Sequence, residues 1–346
     1  MAESLLQEEK SKLSINLHIP LEERIWNPAH QRKRKVIFIA GPTGTGKTEL
    51  SLLLSKSLGQ CQIISADSMQ VYKGMDIGTA KVSSAIRQEI PHHLIDIRNI
   101  DESFNVVDFY YEARAAIESI LALGHVPIVV GGAGFYYRSL LYGPPEGPPS
   151  VEATRLKIEA ELEKYGAESL YERLVKLDPV YAETITRNDK HKIVRALEII
   201  ELTNKPVSAF SWKCRYPTQD FDFHCWFIYR PREMLYKILE DRCDEMIRMG
   251  FVDEVKTMKE KGLLLNPSAS QAIGYKQCLS FLETAQTQKD LEEFIQKFKT
   301  ASRHYAKKQF TWFRQEEAFR WLNVELHNLG TAAEMIMQDY HQGDLF

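Results

Sequence analysis

The residues best equipped for chemistry are Gly41-Pro42-Thr43-Gly44-Thr45-Gly46-Lys47-Thr48. Gly41 and Gly46 frame four residues and Lys47-Thr48 follow, the spacing of a phosphate-binding loop. Glycine lets backbone N–H groups curl round phosphate oxygens with no Cβ in the way. The start of the following helix adds a partial positive charge, Lys47 adds a full one, and the Thr48 hydroxyl is a candidate Mg2+ ligand. The apolar run Val36-Ile37-Phe38-Ile39-Ala40 precedes the loop, and Leu50, Leu53, Leu54 and Leu58 follow it on one helical face. Strand, glycine turn and helix in that order imply a grip on a di- or triphosphate.

A second candidate is Asp67. Gln62-Ile63-Ile64 reads as the next parallel strand and ends in Ser65-Ala66-Asp67-Ser68. In open α/β sheets the working residues lie just past the C-terminal ends of strands, which places Asp67 beside the phosphate loop. Three roles are open to it: Mg2+ ligand, general base, or cap of a local turn. Apart from a weak Leu94-Ile95-Asp96, no other apolar strand ends in the Asp that ATPases use to hold metal. Asn204-Lys205-Pro206-Val207 has Val207 where a guanine-reading motif needs Asp, which argues against a switch GTPase.

Basic residues form two patches. Lys297, Lys299, Arg303, Lys307, Lys308 and Arg314 are interleaved with Tyr305, Phe310, Trp312 and Phe313. Cations that track phosphates and aromatics that stack bases suit RNA, and a solvated face over an aromatic core gives the same pattern. The cluster from Arg187 to Arg195 is the second patch. Two such patches in a chain of net charge −3 favour a local nucleic-acid surface over a global field.

The elements that must position these groups form an α/β core of the P-loop NTPase type, a parallel sheet with helices. A helix capped by Ser103 or Asn105 carries Phe109, Ala113, Ala116, Ile117 and Ile120 on one face and stops at Gly124. Val126-Pro127-Ile128-Val129-Val130 is a buried strand running into Gly131-Gly132-Ala133-Gly134 and another helix. Tyr72 to Lys81 has too many turn formers for a helix and too many charges for a core strand, so a surface loop on the active edge is expected. The stiff segment Gly143-Pro144-Pro145-Glu146-Gly147-Pro148-Pro149 marks a boundary. Beyond it the pattern is helical, and strand character returns at Trp226-Phe227-Ile228-Tyr229. The expected organisation is a polar extension over 1–34, a catalytic core from 35–144 and 223–346, and a helical insertion over 145–222.

The chain of 346 residues is long enough for such a core and insertion. No apolar run reaches the roughly 20 residues of a membrane span. The start has no apolar targeting segment, and the five cysteines lack a C-x-x-C pair, so reduced structural thiols in the cytoplasm are expected. Gln31-Arg32-Lys33-Arg34-Lys35 reads as a solvated lead-in or as a basic arm. No apolar stripe is left unassigned, which points to a monomer with no obligate protein partner.

Taken together these residues resemble the tRNA dimethylallyltransferases of bacterial type. The phosphate loop, Ile64-Ser65-Ala66-Asp67-Ser68 and Val71-Tyr72-Lys73-Gly74-Met75-Asp76-Ile77-Gly78-Thr79-Ala80-Lys81 occur there in the same order. Pro91-His92-His93-Leu94-Ile95-Asp96, Val130-Gly131-Gly132, Asn188-Asp189, Arg195-Ala196-Leu197-Glu198 and Ile273-Gly274-Tyr275-Lys276-Gln277 continue the likeness, from about Lys35 to Arg314. The run from Tyr72 to Lys81 is far more specific than the phosphate loop.

The resemblance implies transfer of a dimethylallyl group from dimethylallyl diphosphate to N6 of adenosine 37 in tRNA, with release of diphosphate. Asp67 would be the base, Arg242 would stabilise the leaving group, the phosphate loop would hold the diphosphate, and Mg2+ would sit near Thr48. Contacts to tRNA would come from Asp67, Ser68, Met69 and Gln70, from Ala133 and Arg155, and from His191, Lys192, Ile193, Val194 and Arg195. Gln271, Ala272, Ile273, Gly274, Tyr275 and Lys276 would add others, as would Lys307, Lys308, Gln309, Phe310, Thr311, Trp312, Phe313 and Arg314. Ala133 stands where the family usually has Thr, and Ile238 where it usually has Arg. Two rival readings are a small-molecule or nucleotide kinase, and an RNA-binding module that keeps its phosphate loop as a relic.

Overall fold

Every residue of β1 (Lys35–Ala40) is buried, and the strand is covered on both faces. Val36, Phe38 and Ala40 enter one apolar cluster, while Ile37 and Ile39 enter another. This two-sided burial explains why the strand reads as an unbroken apolar run. The computed structural model describes residues 34–210 and 218–342, so the polar extension up to Lys33, with Arg32 and Lys33 of its basic run, and Cys214 lie outside the described residues.

β1 lies inside a six-stranded sheet with β2 (Cys61–Ala66), β3 (His92–His93), β4 (Val126–Gly131), β5 (Asp222–Tyr229) and β6 (Arg320–Asn323). The order is β3-β2-β4-β1-β5-β6, and every pairing is parallel. All six C-terminal strand ends therefore open on one edge, where the phosphate loop and Asp67 lie. β3 has two residues, too short to carry a periodic signal.

One face is covered by α1 (Lys47–Leu58) and, at the far end of the chain, by a helix over Asn328–Gln342. In α1, Leu50 and Leu54 are fully buried, whereas Leu53 falls outside the apolar face expected of it and is exposed. A short α2 (Ser84–Glu89) precedes β3. The opposite face carries α3 (Val106–Ala122) and α4 (Gly134–Tyr142). Asn105 caps α3 by accepting from Val107 N at 2.8 Å, while Asp108 returns a bond to the Asn105 amide.

Three helices follow the proline-rich segment: α5 (Glu152–Leu177), the short α6 (Pro179–Ala182) and α7 (Lys190–Thr203). α5 breaks at Gly166, whose φ is 80°. Ile158, Leu170, Leu174, Ala182, Ile193 and Leu197 form a separate apolar cluster among them. Glu198, fully buried, accepts from Ser150 Oγ at 2.6 Å and Val151 N at 2.7 Å, tying the end of the proline-rich segment to α7.

The chain then returns through β5 to α8 (Arg232–Arg248), α9 (Phe251–Glu260), α10 (Tyr275–Leu282) and α11 (Gln288–Phe313). These join α3 and α4 on the first cluster's face. The last helix, α12 (Asn328–Gln342), closes the second. No helix among the described residues is long and apolar enough to cross a membrane.

The stretch from Tyr72 to Lys81 is a loop on the active edge, as expected, and Lys73, Asp76 and Ala80 are exposed. It is more deeply rooted than a simple surface loop: Tyr72 and Met75 are fully buried, and the Lys81 side chain is 2% exposed. The Lys81 ammonium donates to Tyr72 O at 2.9 Å, Asp76 Oδ1 at 2.6 Å and Asp96 Oδ1 at 2.7 Å. Of its charges only Lys81 is turned inward, held by these three acceptors, while Lys73 and Asp76 stay exposed.

Candidate active site

The phosphate loop fits its surroundings only with glycine at its start. A Cβ on Gly41 would lie 2.4 Å from the Ile228 carbonyl oxygen of β5. Gly44 and Gly46 hold φ of 80° and 91°, a region that side chains resist. The Thr45 hydroxyl and the Lys47 ammonium both donate to Pro42 O, at 2.8 and 2.7 Å, and brace the loop from within. Burial, with the Arg242 guanidinium next, pushes the Lys47 pKa down to about 7, and Asp67 acts in the opposite direction. A group held so far below its usual range is poised to regain its charge when an anion arrives.

Asp67 follows β2 directly. Its Oδ1 accepts from Met69 N at 2.8 Å and Gln70 N at 3.3 Å, so the capping role is real. Both bonds use the same oxygen, which leaves Oδ2 available to a cavity of about 380 Å³ that Asp67 lines. Lys47, Thr48, Gln70, Arg242, Tyr305 and Gln309 line the same cavity. Burial and the negative charge of Asp67 both push the Tyr305 phenol up, so it stays protonated and able to donate.

The lining of the cavity also includes apolar side chains, Val82, Ile95 and Ile238 among them. Ile238 packs over the loop; a Cβ on Gly44 would lie 3.2 Å from its Cγ2. The polar lining is held by a relay: Ser65 Oγ donates to Gln70 Oε1 at 2.8 Å, and Gln70 Nε2 donates to Thr79 O at 3.2 Å. Thr79 and Ala80 complete that wall.

Glu254 on α9 anchors the wall from behind. Its carboxylate accepts the backbone N–H groups of Asp76 at 2.9 Å, Ile77 at 2.6 Å and Gly78 at 3.0 Å, and the Tyr275 hydroxyl at 2.6 Å. Gly78 is obligatory here, since a Cβ would meet the Phe251 ring at 2.3 Å. Sequence reasoning missed Glu254. Nothing near it in the chain marks it, because its three backbone partners lie more than 170 residues earlier.

Across the sheet edge, α11 presses on the Gly131–Gly134 turn. A Cβ on Gly132 would lie 2.2 Å from Gln309 Nε2, and one on Gly134 would lie 2.2 Å from the Trp312 ring. The glycines make room for that helix, and Gln309 Nε2 donates to Gly132 O at 3.0 Å.

A Mg2+ ion needs hard oxygen donors and keeps several waters. The Thr48 hydroxyl and the Asp67 carboxylate line one cavity, and a bound diphosphate would supply further oxygens, so the donor set fits. No cluster of three His, Cys, Asp or Glu capable of holding a metal occurs among the described residues.

The structure distributes the expected RNA-contacting residues unevenly. Asp67, Gln70 and Gln309 line the cavity, and Ala133 opens α4 beside it. His191, Lys192, Gln271, Lys276, Lys307, Lys308, Thr311 and Arg314 are exposed. Ile193, Val194, Ala272, Gly274, Tyr275 and Phe313 are buried and serve the core. The aromatics of α11 divide: Phe313 is fully buried, Phe310 is half-buried and packs on Phe227 at 5.7 Å between ring centres, Trp312 is half-buried, and Tyr305 lines the cavity.

Several cations are engaged rather than presented. Lys299 pairs with Asp244 at 2.7 Å, and Arg303 pairs with Glu240. Arg187 is bound to Glu168, Lys192 to Asp189 at 3.0 Å, Arg195 to Glu198 at 2.7 Å, and Arg155 to Glu159 at 2.9 Å. The second basic patch is thus largely neutralised within its own helices. The four described cysteines are free and buried, and burial pushes the Cys61 thiol up to about 12, so they are inert.

Comparison with known proteins gives a consistent set of likenesses. A family model described as IPP transferase matches residues 70–316. The chain is 55% identical over 333 residues to the tRNA dimethylallyltransferase of Protochlamydia amoebophila, covering 96% of each. It is 48% identical over 308 residues to the protein of that name from Chlamydia pneumoniae, covering 88% of each. Among solved structures, the tRNA delta(2)-isopentenylpyrophosphate transferase of Staphylococcus epidermidis superposes with a TM-score of 0.64 at 36% identity, over 89% of this chain and 99% of that one. A eukaryotic dimethylallyltransferase described as acting on tRNA gives 0.72 at 30% identity, over 89% of this chain and 80% of that one.

Proposed function

The chain belongs to the tRNA dimethylallyltransferase family, and from that premise we propose how its cavity carries out the transfer. The donor is dimethylallyl diphosphate and the acceptor is N6 of adenosine 37, beside the anticodon. The observation that carries this reading is that the carboxylate of Asp67 and the cations Lys47 and Arg242 share one cavity whose lining includes apolar side chains.

The diphosphate lies in the Gly41–Thr48 loop, and the five-carbon group rests toward Ile238, Val82 and Ile95. Thr48 would hold Mg2+, which when bound adds positive charge against the diphosphate. The N6 lone pair forms a bond to the allylic carbon while the carbon–oxygen bond breaks and its electrons leave with the diphosphate. Asp67 takes one N6 proton. Backbone N–H groups, Lys47 and Arg242 stabilise the charge that develops on the leaving group. An aromatic amine is a weak nucleophile, and a carboxylate in reach adds about 10²- to 10⁴-fold. The reacting base must leave its stack to enter the cavity, at a cost of a few kcal/mol. A tRNA substrate supports a cytoplasmic location for the enzyme.

The direct test is to supply purified protein with an adenosine-37 anticodon stem-loop, dimethylallyl diphosphate and Mg2+, without ATP, and to weigh the RNA by mass spectrometry. A gain of one dimethylallyl group is expected; a requirement for ATP, or phosphate transfer to a small acceptor, would favour a kinase instead. RNA reaches the cavity across the exposed side of α11. Replacing Lys307 and Lys308 by Gln should weaken stem-loop binding and lower the slope of log affinity against log salt by about 1 for each phosphate that a lysine neutralises. An unchanged slope would return those lysines to ordinary solvated surface.

A further inference from the structure

We propose that Gln309 is the residue that reads the reacting amine, its Oε1 accepting the N6 hydrogen that alkylation leaves on the base. This rests on the reading of Asp67 as base and goes beyond it, because it assigns the second hydrogen of the amine and the discrimination against other purines.

The Gln309 side chain is almost fully buried, at 6% exposure, and it lines the cavity. Its amide orientation is fixed: Nε2 donates to Gly132 O at 3.0 Å, and the reverse orientation would set oxygen against oxygen. Oε1 is left buried with no hydrogen-bond partner. An orphaned buried acceptor costs about 1–3 kcal/mol, so its retention in a cavity asks for a donor that arrives from outside.

The sheet register says where that donor must be. Ala66 of β2 pairs with Gly131 of β4, so Asp67 and Gly132 leave neighbouring strand ends. Adjacent strands lie about 4.8 Å apart. Gln309, resting on Gly132 O, and Asp67 therefore enter one cavity from neighbouring strand ends. Two acceptors in one cavity suit the two hydrogens of one exocyclic amine. Ala133, next along the β4 edge, contributes no polar side-chain atom, so Gln309 is the side-chain acceptor on that edge.

The division of labour balances. Asp67 removes one proton as the nitrogen–carbon bond forms and diphosphate departs with the electrons of the broken bond. The other hydrogen stays on N6 in the secondary-amine product and remains on Gln309 throughout. That hydrogen bond fixes the plane of the amine so that its lone pair faces the allylic carbon. A purine with a 6-oxo group presents an acceptor to two acceptors and is refused.

The test uses stem-loops with adenosine or inosine at the reacting position and enzyme loaded with inorganic diphosphate and Mg2+. Wild type should bind the adenosine loop at least about tenfold more tightly than the inosine loop. Gln309→Met, similar in size but without the amide, should cut that preference about fivefold or more. It should also lower the transfer rate while leaving KM for dimethylallyl diphosphate within about twofold, since it does not touch the phosphate loop. Gln309→Asn keeps the amide but withdraws it by one methylene and should show the same loss. The wild-type comparison stands even if a variant fails to fold. Equal binding of both loops by wild type, or an undiminished preference in the folded variants, overturns the assignment of Gln309. Failure of wild type to modify the adenosine loop at all overturns the underlying reading of the site as well.

Discussion

Asp67→Asn should lower single-turnover transfer by about 10²- to 10⁴-fold while leaving donor and RNA binding close to wild type. The choice of Asn separates the two roles that the structure gives this residue. Its amide oxygen can still accept from Met69 and Gln70, so the turn after β2 is kept. What disappears is the charged oxygen facing the cavity. Asp67 also raises the Lys47 pKa, so the variant holds Lys47 lower still. The comparison is therefore best made in single turnover with the donor saturating, where the bound diphosphate restores the charge of Lys47 in both proteins. A near-normal rate there would reduce Asp67 to a cap, and the proton would have to leave by another route.

Lys47 carries the second large effect, and its sign follows from its depressed pKa. In the free protein it loses its proton near pH 7, far below the usual lysine value of 10.5, mainly through burial. A diphosphate in the loop restores a counter-charge and raises it. Donor binding should therefore take up a proton above pH 7, and apparent affinity should fall by up to about tenfold per pH unit between pH 7 and pH 9. Calorimetry of donor binding in buffers of different ionisation enthalpy measures the uptake. Lys47→Met should bind the donor at least about tenfold more weakly and should lose this pH dependence. The donor's own ionisation is common to both proteins and cancels in the comparison. If wild type and Lys47→Met share one pH profile, Lys47 is charged throughout and burial does not set its behaviour.

Much of this site is legible in local sequence, for a physical reason. The phosphate loop, its flanking strand and helix, and Asp67 after Ile63-Ile64 all lie within some thirty residues, from Val36 to Asp67. Strand burial and glycine geometry mark them directly. The interleaved cations and aromatics of α11 were ambiguous because a helix with a core face and a helix with a base-stacking face share the same spacing. Phe313 belongs to the core, whereas Tyr305 lines the cavity and Phe310 and Trp312 are half-buried at the core's margin. The depth of Tyr72 to Lys81 was not legible because Lys81 is buried against a half-buried Asp96, and such a lysine looks like a surface charge until its partner is seen. Gln309 drew notice only as one member of a basic stretch. Its orphaned oxygen depends on a carbonyl at Gly132, 177 residues earlier.

Glu254 reaches back 176 to 178 residues to hold the backbone of Asp76, Ile77 and Gly78. On the ribosome, the phosphate loop and Asp67 emerge long before the helix that secures the wall beside them. At bacterial synthesis rates the interval is roughly ten to forty seconds. β1 likewise waits for β5 to cover its second edge. A nascent chain can fold its first strands early, yet the backbone of Asp76, Ile77 and Gly78 has no carboxylate to hold it until α9 has been made. The wall beside the phosphate loop thus gains this anchor only when nearly three quarters of the protein exists.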